Sequence, residues 1–517
     1  MTTDSEKLQY LKKWKSMTKY IANYSPLTPL LFLERAAAFY KDKTAVVQDN
    51  IRKTYGALYN DCTCTAMRFR ELGVQPGDRI AYISRNNHQL LEAHYAVPMC
   101  GAILVPINYR LNEREISYIL KHAAVKILVS EEQYYHESYS DIVEVHMFIN
   151  SEDLYKNESI YKYKAPRISE DDTISLNYTS GTTGHPKGVM YSHRSTYLNT
   201  LGECITASLT ADCNYLWILP MFHCNGWCYT WAVTAIGGTH FFIDSFDPEY
   251  IVSYITSQQI THLCAAPTVL IQLQQAINFS LLGSYGKLTI ITAGSAPAPD
   301  TIRRFEENDV KIIHVYGLTE THGPHSVCET SDRSRQGIAS VHAVFMNVVD
   351  DQQRSVAWDG KTIGEVVVRG NNIMQGYYKD IKLTRQAFKG GWFHTGDLAV
   401  IHQDGHAEIV DRKKDLIISG GENISSIEVE NVLYQHPDIL LAAVIPVHDH
   451  KWGEIPQAVI ELKKGRIVSD KEIIAFCRDK LAHYKCPKAV IFDTIPRTNT
   501  GKVQKNKLKE KYYYHGK

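Results

Sequence analysis

At 517 residues the chain exceeds one ordinary hydrophobic core, so at least two domains are expected. Its 56 basic residues balance 56 acidic ones, which argues against a dedicated nucleic-acid binder, and a hydrophobic content of 44% suits a soluble globular protein. Eleven cysteines fall without CxxC pairs or regular spacing, which excludes a zinc ribbon or a disulfide framework and points to a reducing compartment.

In chain order, the N-terminal MTTDSEKLQYLKKWKSM lacks the apolar centre of a signal peptide. Its Leu8, Leu11 and Trp14 between lysines fit a packed or frayed helix better than a membrane-surface one. Residues 79–83, 125–129 and 288–292 are short β-branched runs between longer helical patterns, which predicts an α/β fold. The longest apolar stretch, residues 96–107, is interrupted by Pro98 and falls short of a bilayer span, so no transmembrane segment is expected.

Residues 178–189, YTSGTTGHPKGV, carry the most chemistry. Gly181, Gly184 and Gly188 let backbone N–H groups approach a ligand where a Cβ would obstruct them. The hydroxyls of Thr179, Ser180, Thr182 and Thr183 can donate to phosphate oxygens, and Lys187 adds a mobile charge. Ile174, Leu176 and Tyr178 before it, and Val189, Met190 and Tyr191 after it, predict apolar strands that tether the loop at both ends. It is not a P-loop, because Lys187 precedes Gly188 and no Ser or Thr follows the lysine directly. A Ser/Gly/Thr linker would need neither the Pro-Lys-Gly ending nor the flanking strands.

Near residue 364 the pattern changes to GEVVVRG, followed by paired strands around an Asp404-Gly405 turn. The charged run at 411–415 follows, then a helix over 426–436, strands over 442–446 and 457–462, and a helix over 470–481. That series predicts a small α+β domain. The boundaries are therefore set at 1–410 for a large N-terminal domain, 411–414 for a hinge and 415–517 for a mobile C-terminal domain. The chain ends in His515-Gly516-Lys517 rather than the Ser-Lys-Leu peroxisomal address, so a cytoplasmic enzyme is expected.

The 178–189 string resembles the phosphate-loop signature of the adenylate-forming superfamily, which includes acyl-CoA synthetases, firefly-luciferase-like enzymes and peptide-synthetase adenylation domains. The resemblance runs from about residue 30 to about residue 507, with several motifs in the family's order. It implies a multi-subdomain N-terminal α/β domain with a mobile C-terminal α+β domain. In VYGLTET (315–321) it implies that Glu320 is the Mg²⁺ ligand, assisted by Thr182, that Thr319 contacts the α-phosphate, and that Tyr316 and Gly317 lie in the nucleotide site. Taken alone, Thr319-Glu320 would read as a capped helix N-terminus. In GWFHTGD (391–397), Asp397 matches the ribose-binding position, after a tight Thr-Gly turn, and Arg412 matches the second ribose contact. AGSAP (293–297) resembles the strand end beside adenine, with Gly294, Ser295 and Ala296 in contact. Ala293 stands where many members have a glycine, which should narrow the pocket.

LPMFHCNGW (219–227) resembles the segment whose histidine lies between acyl and thiol channels, making His223 the candidate; His223 with Cys224 lacks further ligands at zinc spacing. His448-Asp449-His450 is read as a solvated loop. Lys502, in IPRTNTGKVQK, matches the lysine that the family swings into the active site, whereas Lys505 and Lys507 are read as solvated. Lys414 matches the pivoting position of the hinge. Gly420, Gly421 and Trp452 match the thiol-side surface.

The resemblance implies an AMP-forming acyl-CoA ligase using ATP, Mg²⁺ and coenzyme A, closest to the medium-chain fatty acid and plant benzoate-type enzymes. A medium-chain fatty acid or an aryl monocarboxylate is the expected substrate. A carrier-protein thiol or another acceptor is the alternative to coenzyme A. An amino-acid substrate is disfavoured because His223 stands where an ammonium-binding Asp would be expected. A luciferase-like oxygenase would be distinguished by CoA-dependent AMP release, and a dead scaffold predicts loss of Lys187, Glu320, Asp397, Arg412 or Lys502, all of which are present. No nucleic-acid partner is expected, and a homo-oligomer is compatible with the sequence.

Overall fold

The computed structural model describes residues 25–156, 163–179, 186–294, 299–328, 335–497 and 503–513. Strand and sheet counts refer to these described residues. The expected N-terminal helix around Leu8–Trp14 lies outside them.

Two large sheets organise the N-terminal part. One has nine strands, ordered Ile338–Ala339, Gly323–Val327, Lys311–Leu318, Thr289–Thr292, His262–Ala265, Asn214–Leu216, Thr239–Phe242, Thr44–Gln48 and Ile51–Thr54. Its centre is parallel and its margins are antiparallel. The other has seven, ordered Gly376–Tyr377, Lys187–Ser192, Thr173–Thr179, Ile103–Ile107, Arg79–Ile83, Val125–Ser130 and Val145–Phe148.

Period-two alternation explains how each sheet serves two cores. In Arg79–Ile83, Ile80 and Tyr82 join the central core, while Ala81 and Ile83 join an outer one with Ile116, Ile119 and Leu120 of the Glu113–Ala123 helix. Cys264, Ile291 and Ile313 likewise face the centre, and Leu263, Ile290 and Ile312 pack outward under helices such as Pro248–Ser257. The helices Tyr55–Glu71, His88–Met99, His193–Thr206 and Tyr229–Ala235 contribute to the central core. The α/β prediction holds.

The apolar stretch 96–107 is the end of the His88–Met99 helix followed by the Ile103–Ile107 strand. Pro98 cannot donate to the His94 carbonyl, and the indole N–H of Trp231 takes that acceptor at 3.4 Å. Among the described residues no helix is long and apolar enough to cross a membrane.

A four-stranded antiparallel sheet (Phe345–Val349, Gly364–Arg369, Phe393–Ile401, Ala407–Arg412) follows, the last two strands joined through Asp404-Gly405. The C-terminal sheet draws on Ile417–Ser419, Glu422–Ile424, Ile439–Asp449, Gly453–Leu462 and Ala489–Phe492. Helices Ser426–Leu433 and Asp470–Lys480 cover one face and Lys505–Tyr512 the other. His448 and Asp449 end a strand rather than lying in a loop, with His448 and His450 exposed.

Candidate active site

The Thr173–Thr179 and Lys187–Ser192 strands pair antiparallel, with Thr179 opposite Lys187. The strands that enter and leave the glycine- and hydroxyl-rich segment are therefore hydrogen-bonded neighbours, with the Gly376–Tyr377 strand beyond the second. Ser180, Gly181, Thr182, Thr183 and Gly184 lie outside the described residues. Lys187 does not: its ammonium sits 5.6 Å from the ring centroid of Tyr377, on the neighbouring Gly376–Tyr377 strand.

Tyr377 also donates its hydroxyl to Glu320 Oε1 at 2.8 Å, so one side chain joins the lysine to the carboxylate. Burial, with Glu320 adding to it, pushes the phenol well above its usual range and keeps it a donor. The Thr319–Thr321 segment is a 3₁₀ turn leading into the Gly323–Val327 strand, not the start of a long helix. Its shape is fixed by Thr321 Oγ1, which accepts from Leu318 N–H at 2.8 Å, and by Tyr191, which donates to the Thr319 carbonyl at 2.6 Å.

Four residues before Glu320 on the same chain stands Tyr316, in the Lys311–Leu318 strand. Its hydroxyl donates to Asp397 Oδ2 at 2.8 Å, while Arg412 Nε lies 3.1 Å from Asp397 Oδ1. Asp397 is only 4% exposed, and Asp397 and Arg412 are register partners across the hairpin. Burial works against the Arg412 charge, but Asp397 offsets it and the net shift is upward. Thr395-Gly396 is not a chain-reversing turn, as the sequence suggested. It forms a bulge within the Phe393–Ile401 strand, with Gly396 at φ +73°, and that bulge aims Asp397 at Tyr316.

Residues 33–378 match the AMP-binding enzyme family, and residues 428–502 match the AMP-binding enzyme C-terminal domain. The chain belongs to the AMP-binding enzyme family. Its adenylate-forming fold is shared with ATP-bound MatB from Rhodopseudomonas palustris, at a TM-score of 0.87 and 27% identity over 95% of this chain and 100% of that one. The 4-hydroxybutyrate–CoA ligase 2 of Metallosphaera sedula is 42% identical, with 94% of each chain covered. The 2-methylpropanoate–CoA ligase of Humulus lupulus is 40% identical, over 95% of this chain and 96% of that one.

In this AMP-binding enzyme, His223 is half-buried and introduces an unusual segment. Cys224, Asn225, Gly226, Trp227 and Cys228 all have positive φ, between 49° and 65°, a left-handed turn that four of the five adopt only at a steric cost. Buried contacts hold it. Asn225 donates to Ser175 Oγ at 3.0 Å and accepts from Asn177 Nδ2 at 2.8 Å, and the Cys224 thiol meets Thr319 Oγ1 at 3.6 Å. Gly226 lies where a Cβ would stand 2.5 Å from the Trp217 ring. The segment is thus pinned both to the Thr173–Thr179 strand and to the Thr319 turn.

Gly294 has φ +98° just after the Thr289–Thr292 strand, next to buried Ala293; Ser295 and Ala296 lie outside the described residues. Gly317 has a packing reason of its own, since a Cβ there would stand 1.9 Å from the Gly323 carbonyl. Gly420 and Gly421 turn the chain between two C-terminal strands, with Gly420 N–H donating to the Trp452 carbonyl at 2.8 Å under a 46% exposed indole. Those three residues form a cluster of the C-terminal sheet. Lys414 is exposed, and Lys502 lies outside the described residues.

Lys505 is not a solvated lysine. It pairs with Glu430 at 2.7 Å and donates to Ser426 Oγ at 2.6 Å, its side chain only 15% exposed. Tyr377 and Asn225 escaped sequence reasoning. The only local hint was a glycine beside each, Gly376 and Gly226.

Proposed function

We propose that this AMP-forming acid–CoA ligase activates a monocarboxylate with a compact, uncharged tail. The observation that carries the reading is the pair of constellations on one strand and its exit: Tyr316–Asp397–Arg412, and four residues on, Glu320–Tyr377–Lys187. The first suits a ribose, whose two hydroxyls can share a carboxylate already held by a phenol and a guanidinium. The second suits a polyphosphate with its cation.

The donor set fits Mg²⁺. Among the described residues no three of His, Cys, Asp and Glu gather as a protein metal cage, and Mg²⁺ is commonly held by one or two carboxylates with substrate phosphates and waters. Glu320 would hold it, assisted by Thr182, and its charge would offset that of the phosphates.

In the first step a substrate carboxylate oxygen attacks the ATP α-phosphorus in line; the bond to the bridging oxygen breaks and pyrophosphate leaves. Lys187 and Lys502 offset the charge of the two approaching anions, and Thr319 orients the α-phosphate. In the second step the coenzyme A sulfur attacks the acyl carbonyl, its proton is released, and AMP departs. No protein nucleophile is needed.

We assign the change of groups between steps to rotation of the C-terminal part about residues 411–414, with Lys414 as pivot. Asp411 supports that assignment: its Oδ2 accepts from Ser426 N–H at 2.6 Å, while the next residue, Arg412, is tied to Asp397. The Gly420–Gly421–Trp452 face would then line the thiol path, with His223 at the gate. The acyl wall is assigned to Phe222, Trp227, Tyr229 and Ala293, which are buried and neutral. Their bulk favours short-chain or single-ring acids over the medium-chain ones expected from sequence, in keeping with the small acids named in its relatives. Eleven free thiols favour the cytosol. CoA-dependent AMP release across acetate, butyrate, octanoate, palmitate, benzoate and cinnamate tests the reading: release with the small acids supports it, and release with palmitate alone contradicts it.

A further inference from the structure

Glu365 carries a carboxylate that the nucleotide assignments leave unused. It lies in the Gly364–Arg369 strand beside the buried Val366, Val367 and Val368, with its own side chain 15% exposed. Its Oε1 accepts from Gly396 N–H at 3.1 Å, while Oε2 stands 3.2 Å from His394 Nδ1 and 3.4 Å from Lys413 Nζ. A sheet-surface ion pair would account for Oε2 alone, and with Lys413 56% exposed at its side chain that pair contributes little. Oε1 needs another reason.

The strand register supplies it. His394 pairs with Val367 and Leu398 with Glu365, so residues 395–397 bulge out opposite the single residue Val366. The two peptide groups that flank Gly396 are held by groups outside that ladder. Glu365 takes the Gly396 N–H, Lys413 N–H donates to the Gly396 carbonyl at 2.9 Å, and Asp397 N–H donates to Thr395 Oγ1 at 3.1 Å. Thr395 in turn donates to the Val366 carbonyl at 2.8 Å. Thr395 and Glu365 thus tie the bulge to the Gly364–Arg369 strand, and Lys413 ties it to the segment assigned as hinge. Of these holds the carboxylate is the charged one, and a charge-assisted bond is the stronger kind.

We infer that Glu365 is the positioning residue of the ribose site: through Gly396 N–H it fixes the bulge that points the Asp397 carboxylate at the ribose hydroxyls. The inference rests on the ribose assignment of Asp397 above. Each Asp397 oxygen already has one partner, Tyr316 on Oδ2 and Arg412 on Oδ1, and keeps a lone pair for a hydroxyl. A bulge that turns costs those hydroxyl bonds first. Lys187 and Glu320, on other strands, keep their hold on the phosphates and the cation, so the loss is specific to the ribose.

The test measures pyrophosphate release with coenzyme A and the best acid of the series above, comparing kcat/KM for ATP, 2′-deoxyATP and 3′-deoxyATP. The wild type should favour ATP over at least one deoxynucleotide by about tenfold or more, because the analogue leaves a charged acceptor unpaired. Glu365→Met, similar in length but without an acceptor for Gly396 N–H, should lower that ratio by about threefold or more through a raised KM for ATP, with kcat largely kept. Glu365→Gln still offers an oxygen to that N–H and should keep most of the ratio. Should Glu365→Met not fold, Gly396→Ala disturbs the same bulge, because Gly396 sits at φ +73° with nothing within 4 Å of an added Cβ, and it should lower the ratio likewise. A ratio that survives these changes, or one that Glu365→Gln lowers as far as Glu365→Met, would overturn the inference. A wild type indifferent to the ribose hydroxyls defeats the Asp397 assignment itself and the role of Glu365 with it. Discrimination that Asp397→Ala abolishes and Glu365→Met leaves intact refutes the role of Glu365 alone.

Discussion

Tyr377→Phe isolates one oxygen. The ring that lies under Lys187 is kept, and only the hydroxyl that donates to Glu320 Oε1 at 2.8 Å is lost. A hydrogen bond to a charged acceptor is worth about 1.5–3 kcal/mol, or roughly 10- to 150-fold in an equilibrium. Because the bond orients the assigned Mg²⁺ ligand, the loss should appear in the metal requirement. Acid-dependent ATP–pyrophosphate exchange, titrated with Mg²⁺ at fixed ATP, should show a midpoint raised about tenfold or more, with the maximal rate largely recovered at saturating metal. Tyr377→Leu also removes the surface beneath Lys187 and should add a rise in KM for ATP. An unchanged Mg²⁺ midpoint in Tyr377→Phe, or an equal loss at every metal concentration, would refute the assignment.

Lys502→Ala should cripple acyl-adenylate formation yet leave thioester formation from supplied acyl-adenylate largely intact; equal loss in both half-reactions would count against domain alternation. Lys505→Met strands Glu430, only 14% exposed at its side chain, and should cost about 3 kcal/mol in urea unfolding of the C-terminal part. The double variant Lys505→Met with Glu430→Leu should recover most of that. Acid should destabilise the whole protein through its buried histidines. Burial lowers His193, His240 and His322 to about 3 and His94 and His325 to about 4. Each stays neutral in the fold but protonates near 6.5 when unfolded, so stability is full above about pH 6.5 and falls as pH drops toward 4. The slope is up to ~1.4 kcal/mol per unit for each histidine. A thermal midpoint flat between pH 7 and 4.5 would contradict it.

The two strands paired at 173–179 and 187–192 were legible because their short apolar runs flank a contiguous stretch of unusual glycine and hydroxyl composition. Tyr316, Asp397 and Arg412 were legible only as separate motifs. Their mutual contacts arise from a strand bulge at Gly396 and from pairing across a hairpin, which no local pattern encodes. Tyr377 was silent because it lies 57 residues from Glu320 and reads as an ordinary strand aromatic. Lys505 was misread for the opposite reason: in a helix rich in lysines, its inward orientation is set by Glu430 on another helix. The left-handed turn at 224–228 had one glycine to announce it, and tertiary bonds to Ser175, Asn177 and Thr319 supply the rest. The strands of the parallel sheets, by contrast, were readable in outline, because burial on both faces demands β-branched apolar runs.

The most direct measurement is incorporation of labelled pyrophosphate into ATP, with and without each small carboxylic acid, in the purified protein. Incorporation should need acid and Mg²⁺ together and should weaken in Asp397→Ala. Incorporation independent of any acid, or none with any acid although the nucleotide binds, would contradict it.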